Sequence, residues 1–354
     1  MVQSSSSRKL YLDILRVIAS FLVCYNHSFG YHLFLDQEPS GGLISWINVV
    51  LPIFTIMDVP LFFMISGALL LGKEEAYGTL LRKRVWRFTV VLFAASGITY
   101  QIMGEEPRSV SAFIYSLFRG KVNGSHWYLY AYLGFLLMLP FLRKIAKHLS
   151  GKDILYLVLL RIVFVSGLTS LNFFLDCFGF SPIVLSERFS LPLALFEFLF
   201  YPIVGYYLAE QLPMKKIGTK EIWICFAVLI VGSVYSAVIT YIEGVRSAFS
   251  QDYLGLFNYT SPMAFFVIVR YFVDKIAIPE KLGKFFSAVS SVTIGIYLLE
   301  PLAVHYLSEL FFRQIPWHPV TITISSVLWC FCCMTVGGSI TYLLRKIPGV
   351  KKYL

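Results

Sequence analysis

The sequence predicts an all-α, polytopic membrane protein of about ten transmembrane helices with both termini cytoplasmic, and three observations predict it. Hydrophobic residues make up 57% of the 354 residues and charged residues only 14%, with a mean hydropathy of +0.72, far from the balance of a water-soluble domain. Crossing a bilayer takes about 20 apolar residues, and ten runs approach that length: 10–32, 44–71, 88–103, 126–142, 154–174, 192–210, 222–243, 260–278, 289–310 and 320–344. Of the 30 Lys and Arg, 21 fall on alternate connections (8–9, 73–87, 143–152, 215–220, 275–284 and 345–352), 6 on the opposite ones and 3 inside helices. That asymmetry places the basic connections on the cytoplasmic side. The net charge of +10 is therefore topology, and no nucleic-acid partner is read from it.

The first run has a short basic start, but it is too long for a signal peptide and no small-residue cleavage site follows it, so it should remain as a helix. Its Asp13, Arg16, Ser20, Val23 and His27 follow spacings that keep them on one helical stripe. Arg16 and His27 share that face about 16 Å apart along the axis. Asp13 and Arg16 can pair near the cytoplasmic end or simply snorkel, and His27 can be satisfied by a neighbouring helix.

The second run contains Pro52, Asp58, Pro60 and Gly67, which predicts a kinked or broken span of the kind that lines a cavity. Ser66 is then a substrate contact, or the Ser66–Gly67 pair serves packing. Arg82, Lys83, Arg84 and Arg87 precede the third and weakest run. Arg84 and Arg87 can present two forks to one phosphate, although a cytoplasmic loop is basic in any case. Arg143 and Lys144 are read as topology.

In the following outer loop, Val110, Phe113, Ile114, Leu117 and Phe118 form the stripe of an amphipathic surface helix. The fourth run opens on His126 and Trp127, an acceptor-side contact or, with Tyr128 and Tyr130, an interfacial aromatic belt. Later runs carry Glu197, Arg270 and Glu300; unpaired charges there cost about 2.5–3.5 kcal/mol, so these should face the interior or a partner. Glu300 precedes Pro301 and is a secondary site candidate at a helix break. Five of the six cysteines fall in spans and only Cys177 outside, so neither a disulfide framework nor a zinc site is expected. No internal repeat is visible and no loop is long enough for a soluble domain, which leaves residues 1–354 as one transmembrane domain.

Four stretches together resemble the acyltransferase-3 family of integral-membrane O-acyltransferases. They are "RVIASFLVCYNH" at 16–27, with ten residues between its Arg and His, "VPLFFMISG" at 59–67, "RKRVWR" at 82–87 and "HWYLYAYLG" at 126–134. The resemblance covers essentially the whole chain, and the motifs are specific through their order and spacing. It departs at two points: "RFTVV" follows the basic motif without the usual proline, and "IYLLEPL" places Glu300 where members often carry a histidine, so no second catalytic histidine is carried over.

The resemblance implies transfer of an acyl group, usually acetyl, from cytosolic acetyl-CoA to a hydroxyl of a cell-surface glycan or lipid-linked precursor, in a bacterial cytoplasmic membrane. Such a transfer needs a base for the hydroxyl, stabilisation of the oxyanion and a site for an anionic donor. His27 is the candidate base or a covalent acyl carrier. Arg16, a fixed charge, holds the donor or orients Asp13; Arg82, Arg84 and Arg87 hold donor phosphate; Ser66, His126, Trp127 and Glu300 contact substrate. No metal is expected, and homo-oligomerisation stays open. The competing reading is a secondary transporter or flippase, for which broken helices and buried charges are equally natural.

Overall fold

The computed structural model describes residues 9–28, 43–104, 108–186, 188–246, 255–313 and 318–354, and within them every regular element is helical. The order is α1 (Leu10–Asn26), α2 (Leu43–Thr55), α3 (Asp58–Leu70), α4 (Tyr77–Met103), α5 (Val110–Phe118), α6 (Trp127–His148), α7 (Gly151–Cys177), α8 (Glu197–Tyr206), α9 (Thr219–Arg246), α10 (Gly255–Lys275), α11 (Glu280–Phe312) and α12 (Pro319–Leu344). Among the described residues, seven stretches are long and apolar enough to cross a membrane: Val50–Leu70, Tyr77–Met103, Gly124–His148, Gly151–Cys177, Thr219–Ile239, Glu280–Ser308 and Val320–Leu344.

The three other runs are helical as well, but each is interrupted or charged. Helix α1 has 17 residues and carries Asp13 and Arg16. The run 192–210 breaks at Phe196, between a turn over Pro192–Leu195 and α8, and α10 ends on Arg270, Asp274 and Lys275.

Several boundaries differ from those read in the sequence. Helix α1 stops at Asn26 rather than continuing to residue 32, and His27 caps it with φ −97° and ψ 11°, the bridge conformation that turns a chain out of a helix. Residues 29–42 lie outside the described residues. Elsewhere helices outrun their apolar cores, because hydropathy marks only the lipid-facing length. Helix α7 starts at a capping box in which Ser150 and Asp153 satisfy each other's backbone N–H groups, a signal carried by polar residues.

The expected break in the second run falls at Ile56–Met57, where α2 gives way to α3. Beyond it, α3 packs closely on α8 through a reciprocal glycine contact. A Cβ on Gly67 would stand 1.9 Å from the carbonyl oxygen of Pro202, and one on Gly205 would stand 2.2 Å from that of Met64. Only hydrogen-sized side chains allow the two backbones this approach. Helix α1 lies at the centre of the bundle, against α2, α3, α10, α11 and α12, with Leu15 and Ala19 fully buried. The outward faces present Leu137, Phe141, Ile230, Val231 and Phe331, the inside-out pattern of a protein whose solvent is lipid. The surface helix α5 buries Leu117 against Leu92 and Leu129 and leaves Val110 and Phe118 exposed.

Candidate active site

A cavity of about 990 Å³ runs through the bundle, a size that holds a cofactor-sized ligand. One end is walled by Lys83, Arg84 and Arg87, which α4 presents around a π-helical turn at Leu81–Val85. The Nε of Arg84 donates to Glu75 Oε2 at 2.8 Å, and Nη2 of the buried Arg143 donates to the same oxygen at 3.2 Å while its Nε donates to the carbonyl of Leu70 at 3.1 Å. Although burial works to raise it, the hydrogen bonds from Arg84 and Arg143 hold the Glu75 carboxyl below its ordinary value. Arg87 directs both Nε and Nη2 at the carbonyl of Tyr353, each at 3.2 Å, and Leu354 completes the wall beside it. Arg82 is exposed and absent from the cavity wall, because residues 83, 84 and 87 share a helical stripe that leaves 82 on the far side. Lys83 takes the place expected of Arg82. Arg143, read from the sequence as topology alone, is a buried brace of this end.

The middle of the cavity is aromatic. Phe62, Phe88, Tyr128, Tyr132 and Tyr297 line it with Ser66 and Arg16; the rings of Phe88 and Tyr132 lie 4.6 Å apart and those of Tyr128 and Tyr297 5.8 Å. The Oγ of Ser66 donates to the carbonyl of Phe62 at 2.8 Å. The small pair thus divides its work: Ser66 faces the cavity and Gly67 makes the helix contact. Arg16 Nη1 donates to Ser290 Oγ at 3.2 Å, and Ser290 and Ser287 donate to the two carboxylate oxygens of Asp13 at 2.7 and 2.8 Å. Asp13 is buried behind this serine layer and is not part of the wall. It reaches the cavity wall through Ser290.

His27, Asn26, Asp58, Glu197 and Trp127 line the other end. The His27 side chain is 32% exposed and that of Glu300 only 1%, with His27 Nδ1 lying 2.9 Å from Glu300 Oε2, off the geometry of an aligned hydrogen bond. Two interrupted helices create the arrangement: α1 ends at His27, and the α2–α3 break places Asp58 at a helix start. Asp58 Oδ1 accepts from Val59 N at 2.5 Å and Oδ2 from Asn26 Nδ2 at 2.7 Å; an acidic residue suits that helix start. Asn26 also reaches the carbonyl of Thr55 at 3.4 Å, so the end of α1 is tied to the break itself. Glu197 Oε1 accepts from Arg161 Nη2 at 3.4 Å, and Arg161 Nη1 is held by the carbonyls of Ala194 and Leu195 at 2.6 and 2.9 Å.

His126 does not join this end. It is buried, with Nδ1 3.2 Å from Ser96 Oγ, and stays outside the wall while its neighbours Ser125 and Trp127 line it. A one-turn 3-10 helix, Gly124–His126, rotates it towards α4. Sequence reasoning treated Asp58 only as a helix interruption and passed over Asn26, Glu75, Tyr132 and Tyr297 as site residues. The available signal was Asp58 itself, an ionisable residue inside an apolar run.

A family described as "Acyltransferase domain" matches residues 9–343 of the chain. No curated protein and no solved structure matches it.

Proposed function

This chain belongs to the acyltransferase-3 family and is a membrane acyltransferase, and from that premise we propose that it moves an acyl group, acetyl in its simplest form, from cytosolic acyl-CoA to a hydroxyl of a cell-surface glycan or lipid-linked precursor. The observation that carries the reading is the single cavity with Lys83, Arg84 and Arg87 at one end and His27 at the other. Phosphates of the donor are attracted to the arginine forks, where Arg87 exchanges the Tyr353 carbonyl for a charged partner. The pantetheine arm then passes Arg16 and the aromatic middle towards His27.

In this account the Nδ1 proton faces Glu300 Oε2, 2.9 Å away, leaving Nε2 to act as the base. Nε2 takes the proton of the acceptor hydroxyl as its oxygen bonds to the thioester carbonyl carbon. The tetrahedral oxyanion collapses with cleavage of the C–S bond, and the departing sulfur receives the proton from the imidazolium, giving free CoA and an ester. Glu300 orients the ring and stabilises its transient charge. Ser66 and Trp127 contact substrate along this path, with Arg16 positioned by Ser290 and Asp13.

Ten crossings with both termini on the cytoplasmic side of a bacterial membrane suit this reading. Segments expected on that side meet one another: Lys9 pairs with Glu210 at 2.6 Å, Glu75 with Arg84 and Arg143, Gln211 Nε2 donates to the carbonyl of Ala146, and Arg87 holds Tyr353. The test is purified protein with radiolabelled acetyl-CoA. The account expects CoA release that His27→Ala abolishes. Solute uptake into vesicles without thioester consumption, unaffected by His27→Ala, would instead support a transporter.

A further inference from the structure

The two ends of the cavity carry opposite charge, and the end that receives the acceptor is the negative one. Every Lys or Arg in the wall (Arg16, Lys83, Arg84 and Arg87) belongs to the donor end or the middle. At the His27 end, the wall offers the carboxylates of Asp58 and Glu197 and the amide of Asn26, with Glu300 directly behind His27.

Asp58 is 5% exposed, and among the described residues its partners are the amide of Asn26 and the backbone N–H of Val59, neither a cation. Both of its oxygens accept hydrogen bonds. Asp58 also lies within electrostatic reach of Glu197 and His27. Arg161 does not reverse the sign: it is 1% exposed and fixed by the carbonyls of Ala194 and Leu195, so its charge serves Glu197 from behind. Trp127, 49% exposed, adds an apolar face beside these acceptors.

We infer that this end selects an acceptor with hydroxyl or ammonium donors and no anionic group near the reacting hydroxyl, namely a neutral or amine-bearing sugar or polyol. The inference rests on the acyltransferase reading and adds to it the charge of the acceptor. Hydroxyl or ammonium donors satisfy the free lone pairs of Asp58 and Glu197. A carboxylate or phosphate in the same place meets like charge from these two side chains.

The experiment uses purified full-length protein, radiolabelled acetyl-CoA and two probe acceptors that differ in one group, methyl β-D-glucopyranoside and methyl β-D-glucuronide, with ester formation as the readout. The expected result is a kcat/KM for the glucuronide about a hundredfold below that for the glucoside. Asp58→Asn, which keeps the shape and removes the charge, should narrow that ratio to about tenfold by improving the glucuronide. Equal transfer to the two glycosides, transfer to neither, or an unchanged ratio in Asp58→Asn overturns the inference. CoA release with a cell-envelope extract supplied as acceptor, and its loss in His27→Ala, is measured alongside. If that release is absent the acyltransferase reading fails, whereas intact release with undiscriminated glycosides fails the charge inference alone.

Discussion

At the basic end of the cavity, two arginines, Arg84 and Arg143, converge on one carboxylate, Glu75, and the surplus positive charge faces the cavity. At the His27 end the ratio is reversed: one histidine meets Glu300 at 2.9 Å with Asp58 nearby. The supporting structure differs as well. The basic end sits on one helix, α4, around its π-helical turn and braced by Arg143, whereas the His27 end is assembled where α1 stops and the α2–α3 segment breaks. A cluster of cations attracts phosphate by charge and tolerates the loss of one member. A proton transfer needs one nitrogen at one place, so damage there should be far more abrupt.

That contrast can be broken most severely at His27. His27→Ala should reduce acyl transfer by about 10²–10⁴-fold while equilibrium binding of CoA stays unchanged; a matching loss of CoA affinity would dissolve the distinction between the ends. Next in size, Glu300→Gln keeps the shape but removes the charge that orients and stabilises the imidazole, and steady-state kinetics should show kcat lowered by about a hundredfold with little change in the donor KM. Arg87→Ala removes one charged fork, and the donor KM should rise about tenfold or more, with kcat largely retained. A fall in kcat alone would move Arg87 out of donor binding.

Two smaller effects test the scaffold. Gly67→Ala forces a Cβ to within 1.9 Å of the Pro202 carbonyl oxygen, so α3 and α8 must separate at a cost of about 1–3 kcal/mol, read as a lower unfolding temperature in detergent. For Glu75, the folded carboxyl is held below its ordinary value by Arg84 and Arg143. Its contribution to stability is therefore present above the ordinary carboxylate range and is lost as pH falls through the lowered folded value. The gap in unfolding temperature between the native protein and Glu75→Gln should hold at neutral pH and close in acid.

The helical class and the family were legible because lipid imposes long apolar runs and the four motifs keep their order. The α2–α3 break was equally legible, since Pro52, Asp58 and Pro60 are local signals. What the chain alone concealed was pairing over long separations. His27 and Glu300 are 273 positions apart in sequence, and no periodicity within either helix states that they meet. Arg82 and His126 were misplaced for a local reason: the helical phase of a basic motif or of a short 3-10 turn decides which neighbour faces inward, and composition is blind to phase. Arg143 was hidden by the positive-inside rule itself, which accounts for a basic residue at a helix end whether or not it is buried.

The central claim is that one donor molecule spans the cavity from the basic end to His27. A structure determined with a non-hydrolysable acetyl-CoA analogue tests this directly. The account predicts phosphates against Arg84 and Arg87, the pantetheine arm beside Arg16 and Tyr132, and the acyl carbonyl next to His27 Nε2. An analogue bound outside the cavity, or bound at the arginines with its acyl end directed away from His27, would contradict it.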